Sequence, residues 1–257
     1  GELRSKDSRT FTLSTIDLSA KGTANCYIVS TPWKHRFKCT VKGNSDEPVG
    51  DIASVEVIWE TKNTDESVTK GEIIKSVTLV DDYIELYPSD NMTPGNALVA
   101  VKEADYNILW SWHIWVVDYN PNMENEIYPS KVMMMDRNLG ALSNRVDVLS
   151  YGMLYQWGRK DPFVSNGGNN LAATTAPVDI IKMKNTSVEE EPIDYAQRYP
   201  YIMLYHQDWS DNVPDTLWND KKSMYDPCPV GWSVPGQSYG VFDAKSSHYG
   251  YHQDGSC

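Results

Sequence analysis

The sequence predicts a mainly β protein: an N-terminal β-sandwich, immunoglobulin-like or related, followed by a loop-rich α+β module. Three observations point there. Before residue 120, apolar and polar residues alternate with period two through several short segments, which Gly, Pro, Asn and Asp clusters separate as turns would. Helical periodicity is nearly absent from the same stretch. Beyond residue 120 the apolar segments shorten and loops dominate. At 257 residues the chain is long enough for two cores. The polar, proline-punctuated "DYNPNMENEIYPS" (118–130) then divides it into domains 1–120 and 121–257.

Taken in order, "CYIVSTPWKHRFKC" places Cys26 and Cys39 symmetrically about Pro32-Trp33. A two-residue hairpin turn there would set the cysteines opposite each other, as a cross-strand disulfide or as two free thiols. "SVEVIWE" (54–60) alternates Val55, Val57 and Trp59 with polar neighbours, "YIELY" (83–87) alternates again, and "ALVAVK" (97–102) is a short apolar run between turn signals. "NILWSWHIWVV" (107–117) carries Trp110, Trp112 and Ile114 on one face and Leu109, His113 and Trp115 on the other. Large apolar groups on both faces predict a central strand, with Trp110 and Trp112 in the core and His113 a satisfied structural histidine. Past the boundary, "VMMMDRNLGA" (132–141) reads as a strand running into a turn, and "LSYGMLYQWGRKDPF" (149–163) as a short helix or a strand.

Composition excludes several function classes. A net charge of −12 opposes nucleic-acid backbones and anionic membranes, both of which need a positive field. No apolar run approaches the ~20 residues of a membrane span; "GELRSKDSRT" has no signal-peptide pattern, which decides little, since a mature secreted protein and a lipoprotein cut after its anchor would look the same. Sixteen Tyr and nine Trp against four Phe favour rings with a polar handle, which suit sugar or protein recognition. No phosphate-binding Gly loop, HExxH helix or paired CxxC occurs, and in "GWSVPG" Pro235 replaces a glycine that a nucleophile elbow needs.

"YHQDWSDNVPDTLWND" (205–220) interleaves acids with rings. Calcium-assisted sugar binding would use that combination, with Asp208, Asp211, Asn219 and Asp220 as candidate calcium ligands and Tyr205, Trp209 and Trp218 as stacking rings. Its closing "WND" also occurs in calcium-dependent C-type lectins; the plain alternative is a polar loop anchored by two tryptophans. Paired acids could instead serve a glycosidase. In "YDPCPVGW" (225–232) prolines flank Cys228, so the segment is a shaped turn. Cys228 reads as a small core residue or a disulfide anchor, with Cys257 as partner.

Three ordered blocks, "VMMMDRNLGA", "YGMLYQWGRKDPF" and "YDPCPVGWSVP", resemble the FISUMP-type major paralogous domain of Bacteroidetes and Fibrobacter surface proteins. The preceding half is similar to the β domain of fimbrillin-like surface lipoproteins. The resemblance implies a C-type-lectin-like fold for residues 121–257. It assigns fold-defining roles to Asp136, Asn138 and Leu139, to Tyr151, Gly152, Tyr155 and Trp157, and to Cys228, Pro229, Gly231, Trp232 and Pro235. Family members continue through further strands past the last block, so the module is expected to lack its final strands.

The expected function is non-catalytic adhesion or glycan binding by an exported protein, on the outer-membrane surface or extracellular. Its partner would be a glycan or a host or bacterial surface protein, and it would need no cofactor except calcium. The expected ligand-binding residues are Trp157, Arg159, Asp161, Tyr205, Asp208, Trp209 and Trp218. The alternatives are a structural subunit of a fimbria or surface assembly, and a glycan-active hydrolase.

Overall fold

Segments that alternate in sequence become strands, and the alternation fixes which residues face the core. The computed structural model describes residues 15–127, 133–164, 172–175, 192–203, 215–218 and 221–235. Eight strands fill the first half: β1 (Ile16–Asp17), β2 (Cys26–Val29), β3 (His35–Lys38), β4 (Ser54–Thr61), β5 (Ile74–Val80), β6 (Tyr83–Pro88), β7 (Gly95–Lys102) and β8 (Ile108–Val116). They form two four-stranded sheets, ordered β1-β3-β6-β5 and β2-β8-β7-β4. Pairing is antiparallel except for β1 with β3 and β2 with β8. In the second half, β9 (Asn125–Ile127) and β10 (Met133–Met135) pair antiparallel, and one short helix, α1, covers Pro192–Arg198. The described chain is thus mainly β, and none of its helices is long and apolar enough to cross a membrane.

One apolar cluster draws from both sheets. Trp110, Trp112, Ile114 and Val116 of β8 and Val99 and Val101 of β7 meet Phe37, Ile84 and Leu86 of the facing sheet. As its two-sided pattern predicts, β8 is central, with β2 and β7 as neighbours. Its other face carries Trp115, which joins Tyr119, Leu139, Trp218 and Cys228 in a second cluster, while Leu98 and Trp59 join Met153 and Val164 in a third. The sheet containing β8 therefore has the first sheet on one face and residues of the second half on the other.

Residues of the second half also touch that sheet's two edge strands. Near the end of β4, the Thr175 N–H donates to the Glu60 carbonyl (3.1 Å), and just past the strand the Ala173 N–H donates to the Thr64 carbonyl (2.8 Å). At the β2 edge, Cys26 bridges Pro229.

Three local expectations change. Cys26 and Cys39 do not face each other across a hairpin, because β2 and β3 lie in different sheets and residues 30–34 arch between them. The reason is packing: Tyr27 and Phe37 stack in the shared core with ring centroids 4.5 Å apart, so both strands turn these rings inward and Cys26 outward. The Cys26 thiol meets His113 Nδ1 at 3.4 Å, while the Cys39 thiol donates to the Asp82 carbonyl at 3.3 Å, and no disulfide joins them. Residues 118–127 are more than a linker. Tyr119 is buried, packs on Trp115 (5.3 Å) and lies beneath the Arg137 guanidinium (3.9 Å). Finally, the 149–163 stretch is neither helix nor strand beyond a single 3-10 turn at Val148–Ser150. It is closed by paired backbone hydrogen bonds between Leu154 and Phe163 (3.0 and 2.8 Å).

Candidate functional site

The turn after β10 is tied to the β sheet before it reaches the surface. Asn63 and Asn96 both donate side-chain amide hydrogens to the Gly140 carbonyl (3.0 and 2.8 Å). Gly140 has φ +77°, and a Cβ there would lie 2.3 Å from Met153 Cγ, so glycine is required on both conformational and steric grounds. Asn138 then donates to the Ser150 and Tyr151 carbonyls (3.4 and 3.3 Å), binding the turn to the loop that follows.

Asp136 is held by its neighbours. Arg137 donates to both of its oxygens (2.7 and 3.1 Å) and Asn144 to one (2.8 Å). Burial pushes the Asp136 carboxyl up, but the hydrogen bonds from Arg137 and Asn144 outweigh it and hold the group below the usual carboxylate range. Asp147 caps the 3-10 turn by accepting from Leu149 N–H (2.9 Å) and takes a second hydrogen bond from the Ser143 hydroxyl (3.0 Å). Between these anchors lies a surface groove of about 470 Å³, whose lining includes Asp136, Asn144, Arg145, Asp147, Ser150 and Tyr151.

The expected ligand residues do not converge there. Trp157 is 47% exposed and meets Trp218 edge-on at 5.2 Å. Trp218 itself is buried, with its indole N–H donated to the Tyr225 carbonyl (3.0 Å), so it is an anchor rather than a stacking surface. Arg159 and Asp161 also belong to the interior. Arg159 donates to Gln156 Oε1 (2.8 Å) and the Ile202 carbonyl (2.7 Å) and lies over the Phe163 ring (4.8 Å). Asp161 accepts from the Lys160 ammonium and the Ser111 hydroxyl, both at 2.6 Å. Lys160 also donates to Ser111 Oγ (2.6 Å) and stands 4.4 Å from the Trp110 ring centre. Burial drags the Lys160 ammonium below the usual lysine range, against the pull of Asp161. Beside this cluster, the cavity of about 20 Å³ has room for a water, not a sugar.

Tyr205, Asp208, Trp209, Asp211, Asn219 and Asp220 lie outside the described residues, as does Cys257. Among the described residues no three His, Cys, Asp or Glu gather as metal ligands would.

The corner at Cys228 is built by a residue that the sequence reading passed over. The buried Asp226 carboxylate accepts from the backbone of Cys228 (2.8 Å) and Val234 (2.9 Å) and from the Lys222 ammonium (2.8 Å). Asn25 ties the same corner to β2 by donating to the Met224 and Asp226 carbonyls (2.7 and 2.9 Å). Gly231 takes φ +83°, Cys228 is buried and Trp232 is half-buried. An aspartate two residues before Cys228 is an Asx-turn signal, and it was available in the sequence. So was the Ser-Asn-Arg…Asp run at 143–147, whose short polar side chains mark the groove's loop.

Scans against protein-family models, curated proteins and solved structures return no match.

Proposed function

We propose that this protein is a non-catalytic binding protein that takes carbohydrate in the groove of residues 136–151. The groove carries the reading. Its volume of about 470 Å³ falls within the roughly 300–1,000 Å³ of small-ligand pockets. Its wall combines an amide (Asn144), a guanidinium (Arg145), a hydroxyl (Ser150) and the half-exposed Tyr151 ring. Sugar hydroxyls would pair with the planar polar groups, while the ring would stack on a C–H face.

Two acids also line the groove, which brings the hydrolase alternative into play. Neither is poised for it. A glycosidase needs one carboxyl with a raised pKa as general acid, whereas Asp136 is held down, and Asp147 is occupied by Leu149 and Ser143.

On this reading the two sheets of the first half form an immunoglobulin-like sandwich, and the second half is the C-type-lectin-like module of the FISUMP type. The chain is exported and displayed at a bacterial surface, with a glycan or a surface protein as partner. Calcium at Asp208, Asp211, Asn219 and Asp220 belongs to the same proposal. Its test is glycan-array screening of the purified chain with and without calcium, beside Tyr151→Ala and Arg145→Ala. We expect binding to a restricted set of glycans that both variants weaken about tenfold or more. A blank array under both conditions removes the reading.

One observation favours the assembly-subunit alternative. The seven-residue β5 ends its sheet, with no further strand beside it among the described residues. An open edge accepts a partner strand. A blank array together with concentration-dependent self-association in sedimentation would put this alternative first.

A further inference from the structure

A second cavity shares no residue with the groove. It holds about 410 Å³ and lies where the turn at Lys21–Thr23 and the loop after β3 meet the corner at Val230-Gly231. Its wall carries Lys21, Lys38 and Lys222 against a single carboxylate, Asp46, a local reversal of sign in a chain of net charge −12. The three lysines are not equivalent. Lys222 is turned inward, donating to Asp226 and to the Cys228 and Trp232 carbonyls (2.8, 2.8 and 2.7 Å). The neighbouring cations Lys34, Arg36 and Lys42 are each paired, with Glu85, Asp17 and Glu47. Lys21 and Lys38 alone on this wall have no carboxylate at ion-pair distance among the described residues.

Two unpaired ammonium groups in one concavity attract an anion, and their point charges suit a carboxylate without demanding bidentate geometry. The rest of the wall selects among anions. Thr23 and Asn44 offer neutral hydrogen-bonding groups, and Val41 and Val230 offer apolar surface, which a bare inorganic ion would leave unused. An extended polyanion would meet the net negative charge of the whole chain and be repelled. We propose that this cavity binds a small hydroxylated carboxylate of the acidic-sugar class. Lys21 and Lys38 hold its carboxylate, Thr23 and Asn44 its hydroxyls, and Val230 its carbon face.

The test is calorimetric titration at low ionic strength with glucuronate, glucose, inorganic phosphate and sulfate. It uses the full chain, the double variant Lys21→Gln/Lys38→Gln, and exposed Lys70→Gln as a charge control. Lys21 is exposed and Lys38 half-buried, and a thermal melt alongside confirms that the variant is folded. Glucuronate binds the full chain and Lys70→Gln alike, weakens about tenfold or more in the double variant, and glucose binds at least tenfold more weakly. Glucuronate binding that survives the double substitution, or that is lost in Arg145→Gln instead, overturns the assignment. So does binding of phosphate or sulfate with none of glucuronate.

Discussion

His113 in β8 is fully enclosed, with Nε2 donating to Asn96 Oδ1 (2.7 Å) and Nδ1 facing the Cys26 thiol (3.4 Å) and the Tyr155 hydroxyl (3.3 Å). Burial lowers its pKa from the ordinary 6.5 to about 3, so the folded protein holds it neutral. The unfolded chain protonates this histidine below pH 6.5 and the folded one does not. Its contribution to stability is therefore complete above about pH 6.5 and is lost progressively as the pH falls toward about 3. In urea titrations at pH 7 and pH 4.5, His113→Gln should lose part of the wild-type pH dependence; an unchanged slope would contradict a neutral buried imidazole. Cys39 gives a second residue-level test. Burial, with the Asp82 charge adding to it, pushes its thiol up to about 12. Peptide mapping after alkylation at pH 8 should find Cys39 unmodified in the native protein and modified in denaturant. Rapid native labelling would show that the thiol is accessible.

At the scale of elements, β8 and the 158–163 loop are joined by charge as well as by apolar contact. Ser111, Lys160 and Asp161 form a closed buried triangle. Removing one partner leaves the other charge uncompensated, so Asp161→Ala should cost about 3–5 kcal/mol in denaturant unfolding. A loss of under about 1 kcal/mol would mean that the loop is not docked there. This is also where the sequence was least legible. The strands β4 and β6 could be read from their alternation, β7 from its apolar run between turn signals, and the central place of β8 from its two apolar faces. The arch between β2 and β3 could not. "STPW" satisfies a hairpin turn and an inter-sheet arch equally, and only the meeting of Tyr27 with Phe37 decides. Arg159 and Asp161 looked like ligand-binding charges because charged residues are seldom buried, and nothing local announces the Ser111 and Ile202 partners that bury them. The groove's Asp136 and Asn138 read as turn residues, but the wall opposite them comes from 143–151, a stretch with no periodic signal.

In the molecule as a whole, the sheet β2-β8-β7-β4 is the common layer, with both faces covered. Residues 1–120 alone would uncover Trp59, Leu98 and Trp115, large apolar side chains of a kind that soluble monomers seldom leave exposed together. The full chain should unfold in one cooperative transition, and a 1–120 fragment should aggregate or bind a hydrophobic dye strongly. A monomeric, sharply unfolding 1–120 fragment would show instead that the first half is complete without its cover. With that layer as a rigid support, the anchored loop 143–151 forms one wall of the groove proposed as the carbohydrate site. The most direct measurement of this is backbone amide shift mapping of the full chain with the strongest glycan from the array. Perturbations concentrated at Asp136, Asn144, Arg145 and Tyr151 are the predicted result, while perturbations confined to other surfaces would contradict the assignment of the groove as the binding site.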